Sequence, residues 1–392
     1  MIHHSFREVG GADQVNIATI EALREMGFEV TLITIYRPKF DAIEKVLGVD
    51  FKFKVDRVRW VLPPYVDVCW PIHLHVVPPL LTLVLCSTLK ADLIINTHAD
   101  FPIPYHFILP YSTLNGAPLI SYIHDYDSPG CTFLNRAYPL KYRQSIPWRF
   151  YFTSYRLLFG RMLGALERYA FSKSLILTNS SFTKEHITST YPEVKPIIVR
   201  PPVDVKKFSN IMESKRREDR VLIVARINSE KRLETAIQLA RLLSNHIKFT
   251  IVGTYNASKS SVSYYAQLRE MIERYGLEET VEIRTNISLS ELLDFMARSK
   301  VYFHTKPGEH FGISIVEAMA AGLIPIVPDY GGQLEFVPKQ YRYRTLAEAA
   351  EIVKRVINIP QNARCEVSNI TKQFSRERFK SRMKSIIKYC TE

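Results

Sequence analysis

The chain has 392 residues, too many for one ordinary core, so length sets a prior of two domains of about 200 residues each. Hydrophobic residues at 46% and charged residues at 23% exclude a disordered chain, and a formal net charge of +13 directs attention to anionic partners. Five cysteines (Cys69, Cys86, Cys131, Cys365, Cys390) are odd in number and form no CxxC pair, which argues against a disulfide framework and a structural zinc site and for a reducing compartment.

In chain order, Met1 to Asn16 is polar and glycine-rich, so no secretory leader is expected. Within it, "GGADQVN" (10–16) is a glycine turn leading into a helix, a start that suits an anion. The runs 28–36, 92–97, 118–124 and 174–180 predict strands in the first half. Between them "PLLTLVLCSTL" (79–89) is the longest apolar run and is too short to span a bilayer. Two prolines in "VRPPVDVKKF" (199–208) mark the expected boundary. Strands are predicted again at 220–226, 248–253, 281–285, 300–305 and 324–328, with helices at 230–243, 263–275 and 288–298. The last helix opens with Ser288 and Glu291 at capping-box spacing. Apolar strands alternating with helices predict parallel sheets covered on both faces, one doubly wound domain in each half. In such sheets ligands bind beyond the carboxyl ends of strands.

One of those ends carries "HTKPGEHFGISIVEAMAAG" (304–322), where a polar turn precedes a helix beginning near Ile313. The first amides of that helix lack intrahelical partners, its dipole adds partial positive charge, and Gly312 lets a ligand approach the backbone. A phosphate or diphosphate fits there. Glu309 and Glu317 can then accept from hydroxyls on either side, the layout of a nucleotide sugar. Alone, an E-x7-E spacing more often marks a turn residue and a surface helix residue. Arg226 ends a predicted strand and Lys231 follows five positions on, so two cations stand where a diphosphate would need neutralising. A lone Arg–Lys pair is usually solvated. His124 ends a strand in "YIHDYDSP", where a lone histidine is more often structural. No GxGxxG and no GxxxxGK[ST] is present, which weakens nicotinamide and P-loop readings.

The charge is unevenly placed. Residues 136–173 hold eight Lys/Arg against Glu167, a net +7, and residues 372–388 hold seven against Glu377, a net +6. The first segment is also aromatic ("WRFYFTSYRLLFGRMLGALERYAF"), a mixture that suits an anionic membrane surface or a nucleic acid. A helix with one core face and one solvated face gives the same pattern. No helix-turn-helix, RRM or zinc signature supports nucleic acid, which is not expected as a partner.

"EHFGISIVEAMAAG", preceded by "HTKP", closely resembles the signature of glycosyltransferase family 4, the retaining GT-B enzymes. The likeness is strongest to the lipid-linked-oligosaccharide mannosyltransferases of asparagine-linked glycosylation. "GGADQ", "YIHD", "NSSFTKEHI", "PPVDVKKF" and "VARINSEKRLE" resemble that family's landmarks in the same order, so the likeness runs from Gly10 to about Lys388.

The resemblance implies two doubly wound Rossmann-like domains facing a central cleft. Residues 1–199 would bind the acceptor, residues 200–374 the nucleotide sugar, and a terminal helix, 375–392, would cross back to the first domain. Arg226 and Lys231 would contact the diphosphate, Glu317 the ribose and Glu309 the donor-sugar hydroxyls, with amides of Phe311, Gly312 and Ile313 facing phosphate or sugar. Gly10 and Gly11 would close over the phosphates, and His124 would lie near the reacting sugar. The base is expected near Asn286 to Leu292.

No metal and no cofactor are implied, since cations and helix dipoles stabilise the departing diphosphate. The one DxD, Asp125-Tyr126-Asp127, lies in the acceptor half. The resemblance further implies GDP-mannose as donor and a polyprenyl-diphosphate-linked glycan as acceptor. The protein would sit peripherally on the cytoplasmic face of a membrane, held through 136–173 and 372–388. A UDP-sugar or a soluble acceptor is the alternative, and a sugar-nucleotide epimerase or a binding-only pseudoenzyme fits less well. Where the family often follows its glycines with an acidic residue and then arginine, this turn continues Asp13, Gln14.

Overall fold

A computed structural model describes residues 1–3, 10–38, 40–47, 55–62, 91–97, 116–126, 164–165, 167–213, 217–243, 246–255 and 259–392. The expectations placed on 79–89, on Asp127 and on 136–163 therefore lie outside the described residues. The chain divides into two compact units: Met1–Pro201 with Phe379–Glu392, and Pro202–Arg378.

The first unit is built on seven parallel strands: β1 (Ile2–His3), β2 (Thr31–Tyr36), β3 (Arg57–Leu62), β4 (Ile94–Asn96), β5 (Leu119–Ile123), β6 (Leu175–Thr178) and β7 (Ile197–Ile198). Their order, β3-β2-β1-β4-β5-β6-β7, reverses between β1 and β4, which opens a switch point there. Consecutive strand residues enter different cores: Leu32, Ile95, Ile120 and Leu177 face one, and Ile33, Ile94, Leu119 and Ile176 the other. That alternation is the period of a pleated strand with both faces covered. The helix Gly11–Glu25 packs on the first face with Phe379, Met383, Ile386 and Ile387 of the helix Arg376–Thr391. β3 and β7 were not expected from the sequence; β7 has two residues, too few for an alternation to register.

The second unit has six parallel strands: β8 (Glu218–Val224), β9 (Lys248–Gly253), β10 (Val281–Thr285), β11 (Ser299–Phe303), β12 (Ile324–Pro328) and β13 (Arg342–Tyr343). The order β10-β9-β8-β11-β12-β13 places the switch point between β8 and β11. The helix Leu289–Arg298 opens with the expected capping box: Ser288 Oγ accepts from Glu291 N at 3.2 Å, and Glu291 Oε2 accepts from Ser288 N at 2.8 Å.

The helix expected over 230–243 is corrected. A 3-10 turn covers Ser229–Lys231, Arg232 takes a left-handed φ of 52°, and the α-helix begins only at Glu234. Lys231 thus belongs to a separate turn ahead of the helix. The helix Ile313–Ala320 is buried and ends at Gly322, whose φ is 80°. Behind it Arg217 donates to Ala321 O at 2.6 Å and Arg364 to Gly322 O at 3.2 Å. Burial pushes both guanidinium groups down to about 10. Among the described residues no helix is long and apolar enough to cross a membrane.

Candidate active site

The second unit's switch point gathers the residues that follow β8 and β11. After β8, Asn228 caps the 3-10 turn by accepting from Lys231 N at 3.2 Å, and the Thr305 hydroxyl donates to Lys231 O from beyond β11. The turn thereby aims the lysine side chain across the switch point. After β11, Gly308 takes a φ of 69° and donates its N–H to Tyr330 O at 2.8 Å, while Gly332 N donates to Glu309 O at 2.7 Å. Glu309 is therefore clasped between the loops that follow β11 and β12, in a bridge with Gly331.

Gly331 is required by that clasp. Its φ is 133°, and a Cβ there would lie 2.7 Å from Glu309 O and 2.9 Å from Glu309 N. A side-chain tip could move aside, but the backbone holding Glu309 cannot without shifting the carboxylate. Gly331→Ala is expected to destabilise the protein by about 1–3 kcal/mol through the strained φ alone and to displace Glu309. Denaturant unfolding would check it, and an unchanged midpoint would contradict it.

Lys231 Nζ stands 2.9 Å from Glu309 Oε2, with both side chains less than one-fifth exposed. His304 Nε2 lies 3.5 Å from the same oxygen, too far for a sound hydrogen bond, and makes none among the described residues. Burial pushes the Glu309 carboxyl up, but the charge of Lys231, the His304 contact and Lys306 outweigh it, holding the carboxyl well below the usual range. Burial pushes the His304 imidazole down, aided by Lys231 and Lys306, against the pull of Glu309. The site therefore keeps Glu309 ionised and His304 neutral near neutral pH. Beneath them the Tyr302 hydroxyl meets Ser314 Oγ at 2.8 Å; burial pushes it up, and Glu309 and Glu317 add to that. A fixed carboxylate can accept from two hydroxyls, and a cation beside it can meet a phosphate.

The remaining expected residues of this unit lie on the turns after β8, β10 and β11 and on the helix that follows β11. Arg226 follows β8 ahead of the Lys231 turn, and Glu317 is half-buried in the helix Ile313–Ala320. Gly312 caps that helix with a φ of 94°; a Cβ there would sit 2.5 Å from Ile315 Cδ1. The Phe311 ring is taken by the core, 5.2 Å from Phe336 and 5.3 Å from Phe374, so only its backbone faces the turn. Asn286, expected near a base, spends its side chain on Tyr255: its Oδ1 accepts from Tyr255 N at 2.9 Å and its Nδ2 donates to Tyr255 O at 3.0 Å. Sequence reasoning missed His304, Tyr302 and Gly331. Tyr302 lies within β11 among the core residues Val301 and Phe303, and His304 follows that strand directly.

In the first unit, Gly10 donates its N–H to Asp13 Oδ2 at 2.6 Å. That amide is committed to the turn itself, and the next ones, from Gly11 on, are those without an intrahelical acceptor. His124 Nε2 donates to Thr97 O at 2.8 Å, and Asn179 Nδ2 donates to His124 O at 2.6 Å.

The basic segments are partly absorbed by the fold. Glu25 takes Lys380 at 2.8 Å and Lys384 at 2.6 Å, and those hydrogen bonds hold its carboxyl down. Two of the cations expected on an outer surface thus anchor the terminal helix, leaving Lys372, Arg378, Arg382 and Lys388 exposed. At 167–173, Glu167, Ala170 and Phe171 are buried and Arg168, Tyr169 and Lys173 exposed, the amphipathic pattern. Burial pushes Glu167 up to about 7, against a hydrogen bond from Tyr191 at 2.8 Å.

The family model "Glycosyltransferase Family 4" matches residues 9–207, and "Glycosyl transferases group 1" matches 203–366. A Neurospora crassa protein named GDP-Man:Man(3)GlcNAc(2)-PP-Dol alpha-1,2-mannosyltransferase is 28% identical over 272 residues, 60% of this chain and 48% of its own length. Proteins of that name from Caenorhabditis elegans and Homo sapiens are 25% and 33% identical, covering 70% and 40% of this chain and 62% and 34% of theirs. Among solved structures, sucrose-phosphate synthase of Thermosynechococcus elongatus superposes with a TM-score of 0.75 at 15% identity, covering 99% of this chain and 98% of its own. HepE of Anabaena, in complex with UDP and glucose, superposes at 0.71 and 16% identity with the same coverage. At those identities the likeness is one of fold, two parallel-sheet Rossmann-like domains. The curated relatives are matched over about a third to three-fifths of their length.

Proposed function

The chain belongs to glycosyltransferase family 4, and from that membership we propose that it transfers mannose from GDP-mannose, with retention, onto a polyprenyl- or dolichyl-diphosphate-linked oligosaccharide. The observation that carries the reading is the Lys231–Glu309 pair at the β8/β11 switch point, 2.9 Å apart and beside the Gly312 helix start. Lys231 and Arg226 neutralise the donor diphosphate, with the amides from Phe311 to Ile313 adding the partial charge of a helix start. Glu309 accepts from hydroxyls of the donor sugar and Glu317 from those of the ribose. The acceptor hydroxyl attacks the anomeric carbon as its bond to the phosphate oxygen breaks, and the departing phosphate takes the hydroxyl proton. The protein supplies positioning and electrostatics, not a covalent intermediate. His124 and the Gly10–Gly11 turn are the groups of the first unit assigned to the reacting sugar and the phosphates.

Thermal unfolding with GDP, UDP and ADP, followed by transfer of labelled mannose to a lipid-linked acceptor, tests this, because a ligand bound only by the folded state raises the melting temperature. GDP alone should do so. Stabilisation by UDP alone would replace the mannose reading with the UDP-sugar alternative. Transfer is expected to survive EDTA, since Lys231 and Arg226 are the groups assigned to the departing diphosphate. Loss in EDTA with recovery in manganese would contradict that.

The place of work proposed is the cytoplasmic face of a membrane, reached through 136–173 and the cations of 372–388 that the fold leaves exposed. Each such residue near an anionic bilayer contributes roughly 1 kcal/mol. Replacing Arg149, Arg156 and Arg161 with glutamine should weaken sedimentation with anionic vesicles and turnover of a lipid-linked acceptor, and should spare GDP binding. A triple variant that sediments like the parent would return those arginines to an ordinary solvated face.

A further inference from the structure

At the first unit's own switch point, four polar side chains form a buried chain that the proposed reaction leaves without a role. His3 and Asp13 expose 1% and 3% of their surface, and Asn16 and Thr97 none. Asp13 Oδ2 accepts from Gly10 N at 2.6 Å, and its Oδ1 lies 2.9 Å from His3 Nε2. An ionised carboxylate only accepts, so His3 donates there. The other nitrogen of His3 meets Thr97 Oγ1 at 3.1 Å, and Asn16 Nδ2 donates to the same hydroxyl at 2.7 Å. Thr97 then offers its carbonyl to His124 Nε2 at 2.8 Å. The path runs unbroken from the glycine turn after β1, through the end of β4, to the ring after β5.

Helix capping explains only part of this. An acid at the third helical position commonly accepts from the capping residue's amide, as Asp13 does. Capping does not require the acid to be buried, nor a histidine behind it, nor a threonine behind that. Buried polar groups are costly unless partnered; each of these four side chains holds at least one hydrogen bond, and of their polar atoms Asn16 Oδ1 is the one left without a partner among the described residues. The carbonyl on His124 Nε2 also obliges that nitrogen to carry a proton, so Nδ1 holds the lone pair whenever the ring is neutral. Asn179 of the "NSSFTKEHI" motif holds the backbone of the same histidine, and Asn179 Oδ1 in turn accepts from Thr183 Oγ1 at 2.7 Å.

We propose that His3, Asp13 and Thr97 are positioning residues that lock the Gly10 turn and the His124 ring into one frame. What that frame acts on rests on the transferase reading; the coupling itself is a property of the first unit alone.

Asp13→Asn, Thr97→Val and Thr97→Ser in the full chain test it by amide hydrogen exchange over 10–16 and 119–124, thermal unfolding, GDP calorimetry and mannose-transfer kinetics. Asp13→Asn and Thr97→Val should raise exchange in both segments together. They should lower kcat about ten- to a hundredfold, the scale of a small misplacement, and weaken GDP affinity by a smaller factor, since the Gly10–Gly11 turn is assigned to the phosphates. Thr97→Ser keeps the hydroxyl and should behave like the parent; it and Thr97→Val decide the matter if Asp13→Asn fails to fold. Faster exchange confined to 10–16, or a lower melting temperature with kcat intact, would reduce the pair to a helix cap and overturn the proposal. If the parent transfers no mannose, the transferase reading fails, and joint or separate exchange of the two segments still decides this one.

Discussion

Replacing Glu309 with alanine is expected to abolish mannose transfer while leaving GDP binding intact or tighter. The proposed partners of Glu309 are sugar hydroxyls, which free GDP lacks, so its removal takes nothing from nucleotide affinity directly. Its present partner is Lys231, 2.9 Å away. Without Glu309 that ammonium can turn wholly to a phosphate, which is why affinity for GDP should hold or rise. Truncating one partner of a charged hydrogen-bonded pair removes roughly 2–5 kcal/mol, about thirtyfold to several-thousandfold in rate. Calorimetry with GDP beside single-turnover transfer would show the contrast. A parallel loss of GDP binding would mean that Glu309 serves the nucleotide and not the sugar.

The fold class was legible because its signals are periodic and long. "KFTIVG", "VEIRT" and "IPIVP" each gave strand bounds that match the structure to the residue. All three are rich in β-branched residues and punctuated by Gly, Asn or Asp; "KFTIVG" and "IPIVP" are buried almost throughout, and "VEIRT", at the sheet edge, only in part. β1, β7 and β13 have two residues each, shorter than any period, and only pairing with a neighbour makes them strands. The helix start at 230 misled for a local reason. "SEKRLE" has helix-forming residues throughout, but Asn228 draws Lys231 into a 3-10 turn and Arg232 turns left-handed.

The candidate site was half legible. Glu309 and Lys231 announce themselves as charges in the turns after strands, and the resemblance of their motifs to the family's singled them out from other charges. Their contact spans 78 positions, and no spacing rule predicts it. Tyr302 was hidden as a strand residue and His304 as the residue that ends the run, since a strand pattern does not say what a side chain meets. The basic excess shows the converse limit. Lys380 and Lys384 look alike with Arg378 and Arg382 in sequence, yet the first two close on Glu25 and the others face solvent. Glu25 lies some 355 positions from Lys380, out of reach of any local reading of charge.

Replacing Lys231 with methionine should lose diphosphate binding and transfer together, the loss of GDP binding setting it apart from the Glu309 variant, and it should also lower stability. Methionine keeps the packed stem and removes the charge. Glu309 is then left without its main counter-charge, and neutral His304 at 3.5 Å does not replace it. A fully buried pair broken in this way loses roughly 3–5 kcal/mol; this one, with both side chains about one-fifth exposed, should lose less. The dependence on pH follows from the sign of the shift. In the parent the carboxyl is held well below its unfolded value, so it contributes stability that is fully present above that value and is lost as pH falls through the folded one. In the variant, burial is left to push the carboxyl up, and that contribution disappears. The gap in unfolding free energy between parent and variant should therefore be widest at neutral pH and close in acid. Adding Glu309→Gln to Lys231→Met removes the stranded charge, so the double variant should regain stability at neutral pH while GDP binding stays lost. A double variant no more stable than Lys231→Met would show that the lysine stabilises the unit through its stem, not through its bond to Glu309.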